Sequence, residues 1–132
     1  MKSMIDKKIK VLSLLFVSLF LTGCDDARVF KQTGEWQYED VMYIKNQGTS
    51  EHACDPIGWI TIDGKKVNCK LDRQPGRQVD FLYYDIENDI VGDRFCRADA
   101  KLLWSGDIRL EILKDKTNTY PKNTSWTLVR IK

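Results

Sequence analysis

The chain has 132 residues and is nearly balanced in charge, with 21 Lys plus Arg against 19 Asp plus Glu. Residues 1–23 contain four of the lysines and one of the aspartates, which leaves 17 basic against 18 acidic side chains in residues 24–132. This balance excludes the strongly basic surface typical of nucleic-acid binding. The 109 residues that follow the first 23 suit one domain, large enough to bury a core.

The N-terminal segment has the pattern of a secretory signal. Four lysines within the first ten residues are followed by the apolar run VLSLLFVSLFL, residues 11–21. A helix needs about 20 apolar residues to cross a bilayer, so this run is too short to span one. We therefore expect residues 1–23 to be a signal peptide that is removed.

The residues Leu-Thr-Gly-Cys at positions 21–24 resemble the lipobox of bacterial lipoproteins. The resemblance implies that the chain is cut before Cys24, that this cysteine carries diacylglycerol, and that the new amino end is acylated. One acyl chain binds a membrane only reversibly, whereas two or more anchor stably. The expected product is therefore held at a membrane through its lipidated Cys24.

Asp25 and Asp26 directly follow this cysteine. In similar lipoproteins of enterobacteria, Asp at the first of these positions retains the protein in the inner membrane, and an acidic neighbour strengthens the signal. The resemblance thus implies an inner-membrane lipoprotein whose domain faces the periplasm. The lipidated N-terminus and tether occupy residues 24–34, and the stretch from Asp25 to Gly34 reaches about 33 Å at roughly 3.3 Å per residue, so the domain should lie near the membrane.

Residues 35–132 are predicted to form a single β-rich periplasmic domain, because short β-rich segments alternate with turn residues. Room for a helical turn is left only over residues 86–92 and after Asp25. We expect an all-β fold, a small antiparallel sandwich or barrel of about six to eight strands. The candidate strands are Trp36–Lys45, Gly58–Ile62, Lys65–Leu71, Val79–Ile86, Arg94–Trp104, Ile108–Leu113 and Trp126–Ile131.

The first predicted hairpin turns at Asp63-Gly64, a strong signal for a two-residue turn. This turn places Ile60 opposite Val67 and Gly58 opposite Cys69, on the apolar face. Trp59 then lies on the other face, where it is either covered by another layer or exposed as a contact residue.

The second predicted hairpin turns near Ser105 to Asp107. A two-residue loop would place charged residues opposite core residues, so we expect a three-residue loop. The three-residue loop sets Lys101 opposite Glu111 on the outer face, a favourable pair. Its inner pairs are Trp104 with Ile108, Leu102 with Leu110 and Ala100 with Ile112, and Cys96 and Ala98 extend the inner face.

Three cysteines follow the lipidated one: Cys54, Cys69 and Cys96. In an oxidising periplasm they predict one intramolecular disulfide and one remaining thiol. A bridge between Cys54 and Cys69 would join the base of the first hairpin, and a cross-sheet bridge between Cys69 and Cys96 is the alternative. The spacing of these cysteines and of His52 does not favour a structural zinc site, and we expect no metal and no cofactor.

A loose basic segment surrounds the first hairpin and lies near Trp59 in the sequence. It predicts a contact surface, towards a protein partner or towards anionic lipid, with solvated lysines as the alternative. The candidate residues are Trp59, Lys65, Lys66 and Lys70, with Arg73 and Arg77 farther along the chain.

The leading functional hypothesis is a non-catalytic binding domain with a protein partner in the periplasm or inner membrane. Resemblance of the leader and of the size to small enterobacterial lipoproteins implies a link to envelope stress. One alternative is a periplasmic inhibitor or immunity lipoprotein. Another is a thiol-dependent enzyme, since His52 and Cys54 would share a face in an extended stretch and a neighbouring base activates a thiol.

Overall fold

A computed structural model describes residues 32–47 and 56–132 of the chain. Every regular element in these residues is a strand, as the sequence predicts. The strands are β1 (Gly34–Tyr38), β2 (Met42–Asn46), β3 (Ile57–Ile62), β4 (Lys65–Arg73), β5 (Gln78–Asp85), β6 (Ile90–Leu102), β7 (Ile108–Asp115) and β8 (Ser125–Arg130).

The eight strands form a closed antiparallel barrel in which each strand pairs with the next along the chain. The ends of the sheet join where β1 pairs with β8, with Trp36 opposite Arg130 and Gln37 opposite Val129. Closure leaves no unpaired edge strand, which removes the usual site of edge-to-edge association. Of the two predicted architectures, the structure is the barrel.

The connections divide between the two ends of the barrel, because neighbouring strands run in opposite directions. One end, which we call the tether end, holds residues 32–33, the β4–β5 and β6–β7 turns and residues 131–132. We call the opposite end, which holds the β1–β2, β3–β4, β5–β6 and β7–β8 connections, the far end.

The interior is filled by apolar side chains that alternate along the strands with outward-facing ones. A barrel of eight strands is just wide enough for such side chains to fill it. Gly58 is required on this wall, because a Cβ there would lie 1.9 Å from the carbonyl oxygen of Tyr43. The largest fully buried side chains are Trp36, Met42, Ile44, Ile60, Leu71, Val79, Phe81, Phe95, Ile108, Leu110, Ile112 and Leu128.

The predicted first strand is wrong in one respect: it is a hairpin, β1 and β2, and not a continuous strand. The chain turns at Glu39, whose φ is 46°, and the amide of Val41 donates to the carbonyl of Tyr38 at 3.0 Å. The turn lacks Gly and Pro, so its position has no strong signature in the sequence.

The β3–β4 hairpin, the first one that the sequence predicts, has the predicted register, with Ile60 opposite Val67 and Gly58 opposite Cys69. Asp63 and Gly64 both have positive φ, 51° and 79°, as a two-residue turn of type I′ requires.

The second predicted hairpin, β6–β7, has the predicted faces within its strands but not the predicted pairs. Its connection is two residues longer than expected, so Leu102 pairs with Ile108. Lys101 therefore faces Arg109 and not Glu111. A shift of two residues preserves the direction of every side chain that stays in the strands, so the inner face from Cys96 to Leu102 was correct although the register was wrong. The prediction is wrong for Trp104, which was expected on the inner face but lies in the longer loop and is fully exposed.

The β7–β8 connection is held at the far end by Asp115. This carboxylate accepts hydrogen bonds from the amides of Thr117, Thr119 and Tyr120 at 2.8 to 3.0 Å. The Tyr120 hydroxyl in turn donates to the carbonyl of Thr61. In the part of the chain that the structure describes, no helix has the length and apolarity to cross a membrane.

Candidate functional site

The outer side of strands β2 to β5 carries a group of aromatic and basic side chains. We call this group, Tyr43, Trp59, Lys66, Lys70 and Tyr84, the aromatic–lysine face. Cross-strand pairing places Tyr43 opposite Trp59 and Trp59 opposite Asn68, so the group follows the hydrogen-bonding direction of the sheet.

Trp59 lies at the centre of this face and is half-buried. Its ring stacks on that of Tyr43 with the centroids 6.1 Å apart and the planes at 22°. The ammonium of Lys66 lies 4.2 Å from the centre of the Trp59 ring, within the range of a cation–π interaction. Neighbours on both sides therefore fix the orientation of the indole before any partner binds.

A second cation–aromatic pair extends the face onto β5. The ammonium of Lys70 lies 5.0 Å from the centre of the Tyr84 ring. The Tyr84 hydroxyl donates a hydrogen bond to Asp89 at 2.7 Å, and this bond raises the pKa of Tyr84. Tyr84 is thus a neutral phenol that is held in place by the β5–β6 turn.

Tyr43 is held in a similar way. Its hydroxyl donates to Oε1 of Glu35 at 2.7 Å. Burial raises the pKa of Tyr43 to about 12, and the hydrogen bond and negative charge of Glu35 add to the effect. With both phenols neutral at physiological pH, the charges on the five side chains of the face are the ammonium groups of Lys66 and Lys70, and the carboxylates of Glu35 and Asp89 lie at its margins.

The structure brings together three of the four predicted contact residues. Trp59, Lys66 and Lys70 point outward together, whereas Lys65 alternates to the other side at the rim of the barrel, opposite Ile62. Tyr43 and Tyr84 were not predicted as contact residues. The alternation of Met42 and Ile44 inward indicates an outward Tyr43, but the bulges near Leu82 hide the direction of Tyr84.

A shallow open groove adjoins the aromatic–lysine face at the far end, with a volume of about 350 Å³. It continues onto the β5–β6 hairpin, where the apolar side chains of Ile86, Ile90 and Val91 are exposed. The residues that line the groove are Val67, Asn68, Tyr83, Tyr84, Asp85, Ile90 and Gly92.

A second, smaller feature is an ion-pair cluster on the outer side of β5 and β6. Arg97 donates to Asp80 through Nε at 2.6 Å and through Nη2 at 3.0 Å, and Nη1 of Arg94 lies 3.6 Å from the same carboxylate. The hydrogen bonds from Arg97 are the main reason that the pKa of Asp80 lies below its usual value, although Asp80 is buried; Arg94 adds to the effect. The cluster joins two neighbouring strands, and both arginines direct their charge to Asp80.

No disulfide is found among the described residues, where Cys69 and Cys96 are both free, buried thiols. Cys54, the other partner of the expected Cys54–Cys69 bridge, lies outside these residues. They lie on β4 and β6 with β5 between them. Neighbouring strands lie about 4.8 Å apart, so the Cα atoms of two residues with one strand between them are about 10 Å apart. A disulfide requires a Cα–Cα distance below about 7 Å. The cross-sheet bridge between Cys69 and Cys96 is therefore wrong for this fold.

Both thiols are protonated at neutral pH. Burial raises the pKa of Cys96 to about 12, and it raises the pKa of Cys69 still further, with the nearby Cys96 adding to that shift. Since the thiolate is the nucleophile, buried thiols of this kind are inert.

The other predicted site residues lie outside the described residues: Cys24, Asp25, Asp26, His52 and Cys54. The structure therefore bears on neither the lipid anchor nor the pairing of His52 with Cys54. Within residues 32–47 and 56–132, no three His, Cys, Asp or Glu side chains are grouped so that they could hold a metal ion.

Comparison of the chain with protein-family models, with curated proteins and with solved structures found no match.

Proposed function

We propose that this protein is an inner-membrane lipoprotein, anchored through Cys24, whose barrel binds a protein partner in the periplasm through the aromatic–lysine face. The observation that carries the proposal is the pair of lysines held over outward-facing aromatic rings, Lys66 over Trp59 and Lys70 over Tyr84. The lipobox and the two aspartates after it support the location.

The composition of the face favours a protein partner. Trp and Tyr are enriched among the residues that contribute most to binding at protein interfaces, and a side chain that is already held in place loses less conformational entropy on binding. The stack of Trp59 on Tyr43 supplies this rigidity. The barrel interior is filled by side chains, so binding is assigned to the outside of the wall.

The charge of the face indicates the chemistry of that partner. Lys66 and Lys70 make no ion pair with a described residue, whereas Arg97 and Arg94 are both paired with Asp80. An acidic surface with an apolar centre would complement two unpaired ammonium groups around an indole. The proposal is therefore a non-catalytic interaction with an acidic protein surface.

In vivo photo-crosslinking tests this proposal. A photoreactive residue replaces Asn68, which is exposed next to Trp59, and the control carries it at Thr127, exposed on the opposite side of the barrel on β8. We expect an adduct from position 68, none from position 127, and loss of the adduct when Trp59→Ala is added. Equal adducts from both positions, or an adduct insensitive to Trp59→Ala, would contradict the assignment of the face.

The membrane part is tested separately. Mass spectrometry of the mature protein should show a lipidated Cys24, and Asp25→Ser should move the protein from the inner to the outer membrane fraction. Outer-membrane fractionation of the unchanged protein would show that the sorting assignment is wrong without affecting the partner assignment.

A second candidate function is a periplasmic inhibitor or immunity protein, and the β5–β6 hairpin favours it. The first four residues of β6 are exposed, and Ile90 is 59% exposed at the tip. The hairpin thus presents exposed Ile86 and Ile90 among the acidic residues Asp85, Glu87, Asp89 and Asp93, and we infer that it would enter the cleft of an enzyme. Ile90→Asp should then abolish binding while Trp59→Ala leaves it intact, the reverse of the result that the first proposal predicts.

A further inference from the structure

The β6–β7 turn presents Trp104 to solvent without any cover. Trp104 is 105% exposed, whereas the other three tryptophans of the chain, Trp36, Trp59 and Trp126, are buried or half-buried. Tryptophan is characteristic of the boundary between a membrane and water, because its ring is apolar and its N–H is polar.

The turn that carries Trp104 is rigid. Inside it, the amide of Leu103 donates to Asp107 at 2.9 Å and the amide of Gly106 donates to Leu103 at 3.0 Å. From outside it, Nε1 of Trp36 donates to the carbonyl of Gly106 at 2.8 Å. The exposed position of Trp104 is therefore set by the fold.

The same turn is joined to the place where the tether meets the barrel. The amide of Arg130 donates to Asp107 at 2.9 Å, and the guanidinium of Arg130 donates to the carbonyl of Thr33 at 2.8 Å and to Oε1 of Gln32 at 3.2 Å. Asn46 also donates to the carbonyl of Gln32 at 2.7 Å. Trp104 and the start of the barrel thus lie at the same end, linked by a single arginine.

The length of the tether limits where this end can be. Gln32 is eight steps along the chain from Cys24, a reach of about 26 Å at roughly 3.3 Å per residue. If Cys24 is lipidated, the point where the chain joins the barrel lies within that distance of the membrane. The tether end is then the end nearest the lipid.

The charges beside the turn fit an anionic surface. Lys101 and Arg109 are exposed and directly opposite each other on β6 and β7, next to the turn. Like charges in this position are unfavourable in water, and neither makes an ion pair within the described part of the chain. Anionic headgroups would neutralise both.

We propose that the tether end of the barrel rests on the lipid headgroups, with Trp104 inserted at the membrane–water interface and Lys101 and Arg109 beside anionic lipid. This inference rests on the proposed lipid anchor at Cys24 and adds an orientation to it. The aromatic–lysine face, on the side wall formed by β2 to β5, then stays accessible to a partner in the periplasm.

Quenching of tryptophan fluorescence by brominated phospholipid tests the orientation. The full-length lipidated protein is reconstituted in vesicles that contain phosphatidylglycerol, as the unchanged chain and as Trp104→Phe, with Trp59→Phe as the matched control. We expect brominated lipid to quench the unchanged chain and the control to similar extents and Trp104→Phe hardly at all. Circular dichroism shows that each variant is folded.

The outcomes separate this inference from the proposed anchor. A protein that lacks lipid by mass spectrometry and does not float with the vesicles refutes the anchor itself. A protein that floats but shows no quenching through Trp104 refutes the orientation alone, and so does quenching that is lost in Trp59→Phe. Replacement of Lys101 and Arg109 together by Glu should reduce the quenching of Trp104, and unchanged quenching would refute their assignment to headgroups.

Discussion

Replacement of Asp80 by Asn should destabilise the barrel by about 2 kcal/mol at neutral pH. The side chain of Asp80 is 8% exposed and that of Arg97 is 33% exposed. A hydrogen bond to a charged group contributes about 1.5–3 kcal/mol, and removal of one partner of a fully buried pair costs about 3–5 kcal/mol. Arg97 is partly exposed and keeps part of its hydration, so we place the cost of Asp80→Asn within the lower of these two ranges, at about 2 kcal/mol.

The effect should depend on pH in a defined direction. The arginines lower the pKa of Asp80 in the folded state below the value of about 3.9 for an unfolded chain. The contribution of Asp80 to stability is therefore fully present above pH 3.9 and is lost as the pH falls through the pKa of the folded state. The difference between Asp80→Asn and the unchanged protein should shrink across that range.

Equilibrium unfolding in urea at pH 7 and at pH 2.5 measures both quantities, if unfolding is two-state. In thermal unfolding, about 2 kcal/mol corresponds to a fall in Tm of about 8 °C for a domain of about 100 residues. Asp72→Asn is the matched control, because Asp72 faces Asp80 across β4 and β5 and accepts a hydrogen bond from Gln74. Asp72→Asn removes a like charge opposite Asp80, so it should leave stability unchanged or raise it slightly, by less than about 0.5 kcal/mol.

Two results would refute the reasoning. One is an Asp80→Asn variant that is as stable at pH 7 as the unchanged protein. The other is a difference of equal size at pH 7 and pH 2.5, which would show that the loss comes from packing and not from the charge of Asp80.

Three further predictions concern the barrel wall, the buried thiols and the aromatic–lysine face. Gly58→Ala should prevent folding or cost several kcal/mol in thermal unfolding, since its Cβ would lie 1.9 Å from a carbonyl oxygen. Gly64→Ala, with open space around it but φ of 79°, should cost about 1 kcal/mol. Similar stabilities of the two variants would contradict the close approach at Gly58. Cys69 and Cys96 should react with a thiol reagent only after denaturant is added, and fast labelling of either in the native protein would contradict their burial. Trp59→Ala should lower stability by about 1 kcal/mol while abolishing the partner adduct, and a stability loss as large as that of a core aromatic, about 3–5 kcal/mol, would show that Trp59 is structural.

The β3–β4 hairpin shows what local sequence can specify. Asp63-Gly64 allows the positive φ angles of a tight turn, and the alternation of Ile60 and Val67 sets which face is buried. Both signals lie within a few residues of each other, so the register follows from local chemistry. The outward direction of Trp59, and with it the centre of the aromatic–lysine face, was predictable for the same reason.

The second hairpin shows where local sequence is not sufficient. The alternation fixed the inner face, but two registers that differ by two residues preserve that face equally well. The choice between them depends on contacts from elsewhere, because Gly106 accepts from Trp36 and Asp107 accepts from Arg130. Trp36 and Arg130, the two donors, belong to β1 and β8, the strands that close the barrel, and no local sequence pattern predicts these contacts.

The sequence by itself determined the all-β class, the inward and outward faces of the first hairpin, and the features that imply a lipid anchor at Cys24. Each depends on residues that are close together in the chain. Only the tertiary structure decided that the strands close into a barrel, that Cys69 and Cys96 are separated by a strand, and that Trp104 lies at the tether end. These properties depend on the pairing of β1 with β8 and on the strand order, which join residues far apart in the sequence.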